Sequence, residues 1–311
     1  WERHLLRTRI ANYDPKVLDR LCLTGAIGWG RLSPHPAILR SGPDGGRRAA
    51  PTSAAPITFF VREDADWMGA QHTATDDAGG SGLSANAREV MNYLRQRGAS
   101  FFADIVRGTR KLKSEVETAL WELVAVGMIT ADDFDNLRAL IDPRRRAGRG
   151  AGRIARPRHS GGRWCVLQAE EPAERSASVE AVCWMLLRRY GAVFRELMER
   201  ESIVPKWREV LIALRRLEDR GEIRGGRFVS GFLGEQFALP MAVESLRATR
   251  NQQPTGEIVT ISAADPLNLT GIVVPGERIA ANSGKRLVLR DGLLVSDEPS
   301  HAITSSAVSA D

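Results

Sequence analysis

The chain has 311 residues, with 44 Lys and Arg against 38 Asp and Glu, and a formal net charge of +6. Hydrophobic residues make up 43%, enough for packed cores, and the length suits two or three domains rather than one. No apolar run approaches the roughly 18 residues that a membrane span needs, so the sequence reads as soluble. Cys22, Cys165 and Cys183 show no CxxC spacing, which argues against a zinc site or a disulfide framework and for a reducing cytoplasm. The five histidines are never paired at ligand spacing. The chain starts at Trp1 with neither a methionine nor a charged-then-apolar leader, as expected of a stretch cut from a longer polypeptide. Almost all of the basic excess is arginine. It is compatible with a nucleic-acid partner, because neutralised phosphates release counterions; GC-rich coding gives the same composition.

In chain order, residues 15–24 predict a helix ended by Gly25, with one strand over 26–32 and a return strand over 57–62. The Gly-, Ser-, Ala- and Pro-rich stretch 40–56 is the loop between them, and 69–84 is a second loop. Helices are expected over 87–97, 101–106 and 114–126, with Ser84 as the N-cap of the first, then Gly127 and a strand-like return. Residues 143–163 carry Arg144, Arg145, Arg146, Arg149, Arg153, Arg156, Arg158 and Arg163 between glycines and read as a linker between two larger units. Beyond it, 179–190 is amphipathic, with Val182, Met185 and Leu186 on one face, and 192–199 is a short second helix. Pro205 opens a third helix carrying Val210, Leu211, Leu214 and Leu217 up to Gly221. The runs 222–224 and 227–231 read as a hairpin turning at Gly225 and Gly226. Residues 241–250 predict a helix, and 257–261, 271–274 and 286–289 predict strands of a small β unit before a frayed tail from Ser296.

One grammar recurs. The joins LCLTGAIGWGRL, LVAVGMITADDF and LEDRGEIRGGRF each hold a helix end, a glycine, an apolar residue two positions on and a turn toward a second strand. Helix, helix, helix and hairpin is the order of a winged helix. The fold class expected is therefore α+β, with tandem winged-helix modules followed by a small antiparallel β unit. The divisions are 1–68, 84–142, a 143–163 linker, 164–250, 256–295 and a 296–311 tail.

Catalytic signatures are missing. A P-loop needs GxxxxGK[ST]; the one Gly-Lys pair, Gly284 and Lys285, is followed by Arg286 and lacks the earlier glycine, so no ATP site is expected. There is no GxSxG, HExxH, GxGxxG or CxxC. Three candidate DNA contacts remain. Trp29, between Gly28 and Gly30 and two residues before Arg31, either stacks on a base, with Arg31 on a phosphate, or plugs an interface between modules. Lys206, Trp207, Arg208, Arg215 and Arg216 on the third helix, with Arg224 and Arg227 in the wing, either face a groove or form a solvated face, since Glu209, Glu218 and Asp219 are interspersed. Arg107, Arg110, Lys111 and Lys113 form a denser basic run that either touches DNA or is an exposed turn. The Arg-rich linker either grips any polyanion or is a solvated insertion.

WERHLLRTRIANYDPKVLDRLCLTGAIGWGRL and APITFFVRED, WREVLIALRRLEDRGEIRGGRFVSGFLGEQFALPMAVESLR and ISAADPLNLTGIVVPGERI resemble the bacterial large helicase-related proteins, superfamily 2 enzymes. The phrase GEIRGGRFVSGFLGEQFALP is the most specific part. The resemblance implies two RecA-like motor domains earlier in the same polypeptide, using ATP and Mg2+ for 3'-to-5' movement on single-stranded DNA in repair. It implies no cofactor in this chain, a cytoplasmic, nucleoid-associated bacterial setting, and a contact with the tracking strand, single-stranded or in a tailed duplex, for which Trp29 is the residue carried over. The family's C-terminal region is also similar to tandem winged-helix DNA glycosylases with a Gln-x-Gln pair. Here Gln252 and Gln253 are adjacent and no Gln-x-Gln occurs. A glycosylase and a protein-interaction scaffold are the rival readings.

Overall fold

The structure, a computed structural model, describes residues 1–32, 57–63, 65, 68, 83–135, 137–138, 162–167, 174–201 and 204–299. It mixes helices with small antiparallel sheets in two compact units. One comprises Pro15–Met185 and Ile203–Pro205, the other Trp1–Asp14, Leu186–Ser202 and Lys206–Asp311. A π-helical turn, Glu2–Leu6, leads into α1, Arg7–Arg9, which belongs with the second unit.

In the first unit, α2 spans Pro15–Leu23 and ends before Gly25, whose φ of 79° suits a residue without Cβ. Strand β1, Ile27–Gly30, pairs antiparallel with β2, Thr58–Val61, so that Trp29 faces Phe59. Helix α3, Ala85–Arg97, starts on Ser84, whose hydroxyl accepts from the Ala87 N–H at 3.1 Å. The Ser84 N–H and O–H both donate to the carboxylate of Glu122, 2.7 Å each, tying the start of α3 to a later helix. Ala87, Val90, Met91 and Leu94 form its buried stripe. Next come β3, Ser100–Phe101; α4, Phe102–Thr109; α5, Lys113–Ala125; β4, Ile129–Ala131; and β5, Arg163–Val166. Their sheet runs β3-β5-β4.

That register corrects two sequence expectations. Residues 163–166 are not the end of a linker but the central strand of this sheet, with Cys165 opposite Thr130 and Trp164 opposite both Ser100 and Ala131. The Arg-rich stretch therefore joins two neighbouring strands of one module rather than separating two units. Arg144 to Arg158 lie outside the described residues, as do the loops at 40–56 and 69–82 and the tail from 300. The division between units falls instead inside α6, Arg175–Tyr190, between Met185 and Leu186.

In the second unit, the last turn of α6 leads into β6, Ala192–Val193, and then a 3-10 helix, Arg195–Arg200, where the sequence suggested one short helix. Helix α7 spans Trp207–Asp219 with Lys206 as N-cap, so Pro205 precedes the cap and does not occupy the first helical position. Strands β7, Arg224–Gly226, and β8, Gln236–Ala238, complete a sheet of order β6-β8-β7. Helix, short strand, helix, helix, strand, strand, with the last strand in the middle, is thus the order in both halves of the chain. Val193, Phe194, Leu214, Leu217, Ile223 and Phe237 are among the core residues here.

Gly225 and Gly226 are strand residues, contrary to the hairpin expected there. The turn runs through 227–235, where Gly231 and Gly234 take positive φ. A Cβ at Gly225 would come within 2.3 Å of the Glu218 carboxylate, and the Gly225 N–H donates to Glu218 Oε1 at 3.0 Å. The Glu218 side chain thus lies against the backbone at Gly225.

Helix α8, Pro240–Arg250, follows, then β9, Ile258–Ser262, β10, Lys285–Arg290, and β11, Leu293–Pro299, in the order β11-β10-β9. The strand expected at 271–274 is a set of turns closing a buried polar loop. Asn268 Nδ2 donates to the carbonyls of Ala263 and Ile279, and Asp265, 1% exposed, meets Arg9 Nη2 at 2.5 Å. The third strand is instead Leu293–Pro299, which runs past residue 295 into the first residues of the tail expected to fray.

Candidate nucleic-acid interface

Helix α7 buries Val210, Ala213, Leu214 and Leu217 at helical spacing, which turns Arg208, Ile212, Arg215 and Arg216 outward. Lys206 is exposed at the N-cap, and Trp207 is half-buried. Arg224 and Arg227, on β7 and just past it, are also exposed. Between residues 206 and 235 there are seven basic and five acidic side chains. Three of the acids are engaged internally: Glu235 by Arg215, Glu222 by Arg220, and Glu218 by the Gly225 N–H. Arg215 holds Glu235 through Nη2 at 2.6 Å and Nε at 3.1 Å, and this hydrogen bonding and charge pairing raise the guanidinium pKa further. Lys206, Arg208, Arg216, Arg224 and Arg227 make no ion pair among the described residues.

The turn between β7 and β8 is braced by residues that the sequence reading passed over. Gln236 is fully buried, and its Oε1 accepts from the N–H groups of Phe228 and Val229 while its Nε2 donates to the Val229 carbonyl, all at 2.8 Å. One amide thus satisfies three backbone groups lying beyond the last ladder pair, Gly226 with Gln236. Phe228 packs against Ala192, Ala238 and Val243, and Phe232 lies on Phe194 with centroids 4.7 Å apart. The phrase GFLGEQFALP carried this information, but a buried glutamine cannot be told from an exposed one without the fold.

Trp29 is the main correction. The sequence left open an exposed stacking ring or a plug between modules, and the ring is fully buried. It meets Phe134 edge-on at 6.3 Å, and Phe59 tilts onto the same Phe134 at 5.1 Å. The Thr130 hydroxyl donates to the Trp29 carbonyl, fastening β1 to β4. The flanking glycines serve packing rather than display: a Cβ at Gly28 would sit 2.4 Å from the Phe60 ring, and one at Gly30 2.9 Å from Leu167. Arg31 is 4% exposed, its Nε has no acceptor among the described residues, and burial lowers its pKa.

In the basic run of the first unit, Lys111 is committed to Glu89 at 2.7 Å, and Arg107 leans on Asp104 at 3.4 Å. Arg110, left-handed at φ 55°, and Lys113 stay exposed. Arg163 of the expected linker donates to Asp132 at 3.0 Å. Among the described residues no group of three His, Cys, Asp or Glu side chains gathers as metal ligands, and no helix is long and apolar enough to cross a membrane.

A third helix with unpaired cations, backed by a braced hairpin turn, defines a winged-helix module. Comparison with known proteins agrees: residues 172–258 match the model of the winged-helix domain of the large helicase-related protein. The chain is 30% identical over 305 residues to the "Lhr helicase/uracil glycosylase" of Escherichia coli K12, an alignment covering 88% of this chain and 18% of that protein. It is 27% identical over 317 residues to the "Lhr helicase/ probable uracil glycosylase" of Mycolicibacterium smegmatis, covering 92% of this chain and 20% of that protein. The chain is a relative of the large helicase-related proteins and spans about a fifth of their length.

Proposed function

We infer that this chain is a DNA-binding accessory region of an ATP-dependent 3'-to-5' DNA helicase, built on tandem winged helices and gripping single-stranded DNA during repair-linked unwinding. The observation that carries this reading is the set of five cations on α7, its N-cap and the wing that make no ion pair among the described residues, in the segment that matches the family's winged-helix domain. The recurrence of the element order in α3 to β5 supports the tandem arrangement, with Arg110 and Lys113 among its exposed cations. ATP hydrolysis then belongs to motor domains elsewhere in the polypeptide, since no P-loop occurs in this chain. The grip comes from phosphate contacts and not from the Trp29 ring, which presents no face.

The test is fluorescence anisotropy of the 311-residue chain on a single-stranded oligonucleotide, a tailed duplex and a blunt duplex. Exchanging both Arg208 and Arg224 for alanine should weaken binding about tenfold or more on the first two substrates. Equal affinity of the double variant and the parent would remove the reading.

A second reading is motivated by the relatives' names, which join helicase to uracil glycosylase. A glycosylase must draw a base from the stack and place an acid beside it. Incubation of the chain with uracil-containing DNA, scored for abasic sites, separates the two readings.

A further inference from the structure

The wing ends in a feature that phosphate gripping does not use. Leu233 is 81% exposed at the tip of the 227–235 turn, the most exposed large apolar side chain among the described residues. A single exposed leucine is ordinary. This one stands on a turn held at several points along both limbs. Gln236 holds the descending limb through three hydrogen bonds, Phe232 and Phe228 point into the core, and Glu235 on the ascending limb is held by Arg215 of α7. Gly231 at φ 88° and Gly234 at φ 93° bracket Phe232 and Leu233 and set the sharp bends that send one side chain inward and the next outward. The turn therefore presents an apolar tip without the ordering cost of a mobile loop. Arg224 and Arg227, exposed and without ion pairs, stand at the root of the same wing.

An apolar side chain on a rigid, cation-flanked hairpin has the chemistry of a wedge that enters a base step while the cations hold the adjoining phosphates. We propose that the wing is such a wedge: Leu233 inserts into the stack of duplex DNA next to a single-stranded region and unstacks one base step, with Arg224 and Arg227 on the backbone. The inference rests on the DNA-binding reading above and adds which substrate feature the module seeks, an openable duplex step rather than single-stranded DNA alone. Binding of a partner protein through Leu233 is the competing use and is an outcome of the test.

The experiment uses the 311-residue chain and a tailed duplex with 2-aminopurine at the first paired position, which brightens when unstacked. The parent chain is expected to raise the fluorescence on binding. Leu233→Ser should abolish the rise and weaken binding to this substrate about tenfold, and Leu233→Met should restore most of both. Met241→Ser, at another exposed apolar residue outside the wing, should behave as the parent. On a substrate whose first pair is already mismatched, where unstacking costs less, the loss in Leu233→Ser should shrink to about threefold or less. DNA binding with no rise in fluorescence, or an equal rise in parent and Leu233→Ser, overturns the wedge alone and leaves Leu233 to a protein partner. No binding to any DNA overturns the wedge together with the reading beneath it.

Discussion

Arg215 on α7 and Glu235 at the far limb of the wing form a two-pronged contact, Nη2 and Nε on the same carboxylate oxygen at 2.6 and 3.1 Å. The pair joins the two parts of the winged helix that would meet DNA, and it also takes one cation out of competition for phosphate. Both side chains are about half exposed, so the pair contributes little to stability. Glu235→Gln should release Arg215 for a phosphate. Affinity for single-stranded DNA should rise, and the slope of log affinity against log salt should steepen by roughly 0.7, the value of one added phosphate contact. Weaker binding by Glu235→Gln would show that positioning by Glu235 outweighs the cation it occupies.

The buried indole makes the opposite kind of prediction. Trp29→Ala should destabilise the chain by about 3–5 kcal/mol in urea denaturation, the range for deleting a large core side chain. DNA affinity of the folded protein should be unchanged. A large loss of affinity with stability intact would mean that the ring swings out to meet DNA.

Arg31 is a nearly buried guanidinium whose Nε has no acceptor among the described residues, and burying a charged group is costly. Arg31→Met keeps the length of the side chain and removes the charge, so it should stabilise the fold by roughly 1–3 kcal/mol. Sulfate or phosphate, if it reaches the group, should raise the melting temperature of the parent and not of the variant. A variant less stable than the parent would mean that an unseen partner already compensates the charge.

Three glycines show what the sequence made legible. Gly25, Gly127 and Gly221, aligned by their joins alone, share φ values of 79°, 79° and 77°. At Gly127 and Gly221 the next residue's N–H reaches back across the helix end, Met128 to Leu123 and Glu222 to Leu217. Local rules therefore found the helix ends and the Ser84 cap. They failed where partners are distant in sequence. Strand β5 pairs with β4 across more than thirty residues of intervening chain, and no local pattern marks such a return. Gly225 and Gly226 imitate a turn because their pairing with Phe237 and Gln236 is a tertiary fact. Trp29 between two glycines imitates a displayed ring because the Phe60 and Leu167 contacts lie elsewhere in the chain. The cations of α7 were legible as a set; which of them stay unpaired depended on Glu235, Glu222 and Glu218.

Alkaline pH should weaken the fold through its thiols. Burial pushes Cys183 up to about 12 and Cys22 up to about 11 from an ordinary 9.0. Both are more readily ionised in the unfolded chain, so their contribution is complete below pH 9 and is lost as pH rises toward the folded values. The urea midpoint should fall from pH about 9 to about 11, and Cys183→Ala should flatten that fall whatever it does to stability near neutrality. An unchanged slope in the variant would assign the alkaline loss to other groups, Tyr190 first, since burial raises its pKa as well.

The most direct measurement of the DNA grip is the salt dependence of binding to single-stranded DNA by the parent chain and by Lys206→Ala, Arg208→Ala, Arg216→Ala, Arg224→Ala and Arg227→Ala. If these side chains lie on phosphates, affinity falls steeply with salt in the parent. Each single variant then lowers the slope by roughly 0.7, the value for one phosphate contact on a single strand. Binding that ignores salt, or slopes that all five variants share with the parent, would contradict a phosphate grip by α7 and its wing.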